Sequence, residues 1–315
     1  VTGPAAIGAG LPGAGLPGGA LPGETDFRFT AEDFRRIAAM LYEDAGISMP
    51  PEKSMLVYSR LTKRLRELGL DGFDEYCALV AGPAGAAERR KMLGALTTNV
   101  TRFFREPHHF EHLRAAILPP LLEAARRARG RVRIWSSACS TGEEPYSIAL
   151  TILSLMPDAG LHDVKVLATD IDPEVIETAR AGVYTDAQLE QAPKALREKW
   201  FERPEAAGGG WSASRELRGL VTFRELSLVG RWSMAGPFQA IFCRNVAIYF
   251  DDPTRARLWA RFVPLLDAGG ALYIGHSERI NGDAAALLKV DGVTTYRRAE
   301  DRPAAARLAD ARVRA

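Results

Sequence analysis

The chain has 315 residues, 47% hydrophobic and 25% charged, a globular profile that excludes a disordered or collagenous protein. With 41 Lys+Arg against 39 Asp+Glu the net charge is +2, which excludes a globally basic nucleic-acid binder and leaves only local basic patches. Cys77, Cys139 and Cys243 are scattered, with no C-x-x-C pair, and no apolar run nears the roughly 20 residues of a membrane helix; a cytosolic protein without disulfides or a cysteine-built zinc site is expected.

Residues 1–25 are Gly, Pro and Ala with a loose L-P-G repeat and read as a disordered leader, not a signal peptide, since no basic n-region or uninterrupted apolar stretch is present. From Thr30 to about Gly130 the pattern is helical. Thr30 is an N-cap before Phe34, Ile37, Ala38 and Leu41; Pro50-Pro51 open a second helix that ends at Gly69. That helix has an apolar stripe of Val57, Leu61, Leu65 and Leu68, with Arg60, Lys63, Arg64 and Arg66 off it. Further helices follow from Phe73, over Glu88–Leu96 and over Pro107–Arg129, although Pro119 and Pro120 interrupt the most apolar part, Ala115–Ala125.

At Arg131 the period changes. Val132–Trp135 is a strand, Ser136–Gly142 a turn of small residues, and Glu143-Glu144-Pro145 opens a helix. Val164–Ala168 is the next strand, followed by Thr169-Asp170-Ile171-Asp172 and another helix; Leu220–Leu226, Phe238–Cys243 and Ala271–Gly275 are further strands. A hairpin spans about 287–298 with its turn at Asp291-Gly292, and 300–315 reads as a frayed tail. The alternation predicts an α/β fold with a doubly wound, mostly parallel sheet; the stretch around Gly208-Gly209-Gly210 reads as a small inserted β-unit, at about 195–219.

The first strand, turn and helix have the form of a nucleotide-binding crossover, though without G-x-G-x-x-G. Asp170, at the end of the second strand, is placed to accept ribose hydroxyls, which points to an adenosine-bearing cofactor; this geometry does not choose between a nicotinamide and a sulfonium. Glu143 and Glu144 either complement the helix dipole or face a cationic ligand. His108 and His112 have i, i+4 spacing, but H-H-F-E-H lacks the zincin order and a third ligand, so no metal is expected.

Four stretches, Thr98–Glu106, Trp135–Tyr146, Ala168–Asp172 and Ile241–Phe250, with Gly275-His-Ser-Glu278 as a shorter fifth, together resemble the CheR family of chemoreceptor glutamate methyltransferases. Their order and spacing agree from about Phe27 to Arg298. The resemblance implies an S-adenosylmethionine-binding domain (131–299), yielding S-adenosylhomocysteine, behind an N-terminal helical domain (26–106) and a connecting helix (107–130). It implies cofactor contacts from Asn99, Thr101, Arg105, Glu143, Asp170, Arg244, Asn245 and Val246, with Tyr249 beside the transferring methyl group. Where the family usually has Asn-Leu against the adenine, this chain has Ser227-Leu228, and serine cannot reproduce both faces of an amide.

The implied reaction needs no general base, because a glutamate with a pKa of about 4.3 is already ionised at neutral pH; Arg105 and Tyr249 are then positioners. The resemblance also implies that Arg60, Lys63, Arg64 and Arg66 meet the acidic coiled coil of a methyl-accepting chemoreceptor, and that the enzyme is cytoplasmic, recruited to membrane-bound receptor arrays through its receptors, with a monomer as the default. Two other readings stand beside this one: a non-catalytic CheR-like scaffold, and a methyltransferase with another acceptor.

Overall fold

The computed structural model describes residues 27–97, 99–128, 130–203 and 210–299; the expected leader and tail, and Gly208-Gly209 of the glycine stretch, lie outside them. The Thr30 hydroxyl accepts the Asp33 N–H and the Asp33 carboxylate takes the Thr30 N–H, a capping box that starts α1 (Ala31–Ala45). A 3-10 turn, Pro51–Lys53, leads into α2 (Ser54–Leu68), which Gly69 ends at φ +65°. α3 (Phe73–Ala81) and α4 (Ala86–Leu96) close this helical unit around Ile37, Leu41, Val57, Leu61, Leu65, Tyr76 and Met92. Leu68, expected on the apolar stripe, lies in the last turn and is 39% exposed. Thr62 is buried instead, its hydroxyl satisfied by the Tyr58 carbonyl at 2.7 Å.

α5 (His108–His112), a π-helical turn at Leu113–Ile117 and α6 (Leu118–Arg126) form the connection. Pro119 and Pro120 do not end the helical run; they fall in the first turn of α6, just after the π turn, where a missing N–H costs least.

The chain continues through β1 (Val132–Ser136), α7 (Glu143–Leu155), β2 (Val164–Asp170), α8 (Pro173–Ala181), β3 (Val183–Tyr184), α9 (Asp186–Leu189) and α10 (Lys194–Trp200). Then come β4 (Phe201–Glu202), β5 (Trp211–Ala213), α11 (Arg215–Gly219), β6 (Val221–Glu225), β7 (Phe238–Cys243), α12 (Asp252–Phe262), β8 (Leu266–Ile274), β9 (Leu288–Gly292) and β10 (Thr295–Arg298). Seven strands form one sheet in the order β6-β2-β1-β7-β8-β10-β9. The first five are parallel and the terminal hairpin is antiparallel. The hairpin turn falls at 293–294, two residues later than the Asp291-Gly292 signal predicts.

Side chains on the central strands alternate between two cores. Ile134, Ala240, Phe242, Ala271 and Tyr273 face the core built with α6 and α7. Trp135, Ile241, Cys243, Leu272 and Ile274 face a second core that contains α12 and the buried residues of the N-terminal helices. The helical unit therefore shares its core with one face of the sheet. The inserted unit is a three-stranded antiparallel sheet, β3-β5-β4, that begins at Val183, earlier than expected; a two-residue strand such as β3 leaves no periodic trace.

Candidate functional site

Strand order reverses between β1 and its neighbours β2 and β7, and a crevice opens at their carboxyl ends, where such sheets hold ligands. The turn after β1 needs its small residues. Ser140 has φ +49° and Gly142 φ +98°, and a Cβ on Gly142 would lie 2.6 Å from the Tyr184 hydroxyl. Asp170 braces this turn from β2, accepting the Ser140 N–H at 2.8 Å and the Asp172 N–H at 3.1 Å. Only 8% of it is exposed, and burial raises its pKa to about 6 against the pull of those N–H bonds.

One cleft, about 1100 Å³ including its open mouth, gathers most of the residues singled out by sequence: Asn99, Thr101, Arg105, Asp170, Leu228, Arg244, Asn245, Val246 and Tyr249. Its other wall comes from the helical unit, through Ile47, Met49, Lys53 and Leu56, which sequence reasoning missed because their approach is purely tertiary. An isolated bridge between Ile47 and Phe250, and the Ser48 N–H on the Tyr249 carbonyl at 2.8 Å, hold that wall against the loop after β7. The Lys53 ammonium stands 5.9 Å from the Tyr249 ring centroid.

Several assignments shift. The side chain of Arg244 is 2% exposed and ion-paired to Glu144 at 2.9 Å and to Glu106 at 3.2 Å, and it donates to the Arg105 carbonyl. Two of its guanidinium nitrogens are thus engaged by groups of the protein itself, while the residue still lines the cleft. It anchors an unusual backbone, since Phe104 (φ +51°) and Glu106 (φ +56°) flank Arg105 in left-handed conformations. The Arg105 side chain bonds the Val100 carbonyl at 2.9 Å. Burial alone would raise the Glu106 pKa, but Arg244 and the hydrogen bonds from His276 hold it at about 2.

Glu144, not Glu143, lines the cleft, where it also accepts from the Ser136 hydroxyl. Glu143 is 2% exposed and accepts from Thr141 at 2.7 Å and Gln188 at 3.3 Å, both neutral; burial raises its pKa. Ser227 does not line the cleft either: its hydroxyl donates to the Asp44 carbonyl at the end of α1. Asn99 donates to Asp172 at 3.1 Å, and its carbonyl takes the Ser140 hydroxyl.

The basic face of α2 is divided. Arg60 donates to the carbonyls of Ala95, Leu96 and Thr97 and so caps α4, and Arg64 forms a two-pronged pair with the buried Glu88, itself bonded to the Tyr76 hydroxyl. Both cations have structural partners, which corrects the expectation of four acceptor-facing charges. Lys63 and Arg66 are exposed.

Glu106, His108 and His109 come close enough to hold a metal ion, whereas His112 turns away to Tyr273 and Asp291. Glu106 is already neutralised by Arg244, and a second cation there would face that guanidinium directly. Burial first, then the Arg244 charge, lowers the His109 pKa to about 3, so its ring is neutral.

The description "CheR methyltransferase, SAM binding domain" matches residues 99–296, and "CheR methyltransferase, all-alpha domain" matches 32–97. The chain is similar to a probable chemotaxis protein methyltransferase of Rhizobium etli, 56% identical over 259 residues, covering 82% of this chain and 96% of that protein. It is similar as well to chemotaxis protein methyltransferase 2 of Pseudomonas aeruginosa (45% identical; 86% of this chain, 94% of that one). The chemotaxis protein methyltransferase of Escherichia coli is 43% identical, over 79% of this chain and 84% of that one.

Proposed function

The chain belongs to the CheR methyltransferase family, and on that premise we propose that it transfers a methyl group from S-adenosylmethionine to glutamate side chains on the cytoplasmic coiled coil of chemoreceptors. The observation that carries this reading is the cleft between the helical unit and the sheet, with Asp170 on one side and Lys53, Arg102, Arg105 and Tyr249 around it. No described helix is long and apolar enough to cross a membrane; in this reading the enzyme reaches membrane arrays through its receptors.

The donor set fits the cofactor. Asp170 accepts ribose hydroxyls; Leu228, with Leu226 and Ile171, offers an apolar wall for the adenine, and the Ser227 hydroxyl, spent on Asp44, takes no part. Of the two acids at the start of α7, Glu144 lines the cleft but already serves Arg244; Glu143 has only neutral partners and is the acid left to take the methionine ammonium, although it is buried beside the cleft and not in its lining. Asn99 and Thr101 close the site from the inter-domain segment, and Asn245 and Val246 from the loop after β7.

S-adenosylmethionine supplies an electrophilic sulfonium methyl. The acceptor carboxylate is ionised at neutral pH, a C–O bond forms as a C–S bond breaks, and no proton moves. The protein's work is to orient and partly desolvate that carboxylate. Arg105 holds it by charge-assisted hydrogen bonds, the Tyr249 hydroxyl aligns the reacting groups, and Lys53 and Arg102 draw an acidic segment to the mouth. Calorimetric titration with S-adenosylhomocysteine tests the cofactor half of this reading: binding is expected, and its absence would favour a non-catalytic scaffold.

A further inference from the structure

The Gly275-His-Ser-Glu278 stretch has no part in the reading above, yet the structure sets it under the cleft. Glu278 is 2% exposed. It accepts the backbone N–H groups of Asn245 at 3.1 Å, Val246 at 3.0 Å and Ala247 at 2.7 Å, and that of Gly275 within its own turn. Asn245 has φ +59°, so the loop after β7 curls its N–H groups into a concave nest, and the ligand of that nest is a side chain of the protein itself. Contact is close: a Cβ on Gly275 would lie 2.8 Å from the Asn245 nitrogen. From the same turn, the His276 N–H and ring reach the Glu106 carboxylate at 3.2 and 3.0 Å, next to Arg105.

We propose that Glu278 is a positioning residue for methyl transfer: it fixes the loop that presents Asn245, Val246 and Tyr249, while its own turn holds the Arg105 segment through His276. This rests on the reading of that loop as the cofactor wall. Removing the carboxylate leaves four N–H groups without that acceptor, three of them in the loop after β7, and the left-handed Asn245 loses what holds it in place. Burial raises the Glu278 pKa and the N–H bonds oppose that rise, as they should if they stabilise the carboxylate.

Glu278→Gln keeps the size but turns an amide NH2 toward backbone donors; Glu278→Asp keeps the charge but shortens the reach. Both are compared with wild type for S-adenosylhomocysteine affinity, KM for S-adenosylmethionine and unfolding midpoint. The Gln variant is expected to bind at least about tenfold more weakly in its folded form, with the Asp variant between it and wild type. A folded Gln variant within twofold of wild-type affinity, destabilised or not, would overturn the proposal. Hydrogen exchange on the wild-type protein decides the matter if the variant does not fold. Protection of the Asn245, Val246 and Ala247 amides comparable to that of β7 supports the inference, and exchange at loop rates overturns it. Failure of the wild type to bind S-adenosylhomocysteine would instead sink the functional reading, with the exchange experiment still deciding whether Glu278 holds the loop.

Discussion

Asp170 and Glu106 are both withdrawn from water, yet their pKa values move in opposite directions. Arg244 holds Glu106 at about 2, while Asp170 has only backbone donors and rises to about 6. Asp170 should therefore give the site its pH dependence. If its ionised form accepts the ribose hydroxyls as proposed, S-adenosylhomocysteine affinity is expected to fall as pH drops below about 6. In the unliganded protein the sign is reversed. A native pKa above the unfolded value means the folded state binds more protons, so this group's contribution to stability falls as pH rises between about 4 and 6. Calorimetry from about pH 5 to pH 8 checks the affinity, and an affinity that does not change over that range would contradict the assignment. Replacing Asp170 with Ala should weaken binding by about one to two orders of magnitude, the loss of charged hydrogen bonds worth about 1.5–3 kcal/mol. Because Asp170 also braces Ser140 and Asp172, the Ala variant should lose thermal stability, which makes Asp170→Asn the cleaner probe. Unchanged affinity in the Asn variant would remove Asp170 from the site.

Helix α2 shows why a charged face cannot be read from one element alone. Its period and its four cations are visible in the sequence, but α4, whose Glu88 lies 24 residues beyond Arg64, decides that Arg60 and Arg64 are tied into the helical unit. Arg64→Ala is expected to leave Glu88 buried without its cation and to cost about 1.5–3 kcal/mol in denaturant unfolding, with KM for the receptor unaffected. Lys63→Glu is the complementary test, since Lys63 is 81% exposed and its partner Glu67, 3.8 Å away, also pairs with Arg64. It should raise KM for the receptor several-fold at low salt, and the difference should shrink as the Debye length falls to about 8 Å or less. Normal receptor methylation at low salt would make this a solvated face. The small inserted sheet was legible only in part. Tryptophans and glycines announced it, but β3 has two residues and its pairing with β5 is a tertiary fact.

For the molecule as a whole, alternation of strands and helices made the doubly wound sheet readable from Val132 onward, because strands covered on both faces read as short apolar runs, as in β7 and the end of β8, set between helical patterns. The cleft was legible where backbone chemistry leaves a mark: the small-residue turn before Gly142, and the acid at the end of β2. It was not legible where packing alone decides. Nothing in the sequence shows that Ile47 and Lys53 face Tyr249, that Arg244 spends its charge on Glu106 and Glu144, or that Ser227 turns to Asp44. The proposed reaction esterifies receptor glutamates in this inter-domain cleft. The most direct measurement is transfer of labelled methyl from S-adenosylmethionine to a purified chemoreceptor cytoplasmic fragment, followed by alkaline hydrolysis. Label is expected on the receptor, released by alkali as methanol, and transfer should be sharply reduced with Arg105→Ala. Alkali-stable label, or no transfer by a protein that binds S-adenosylhomocysteine, would contradict the proposed reaction.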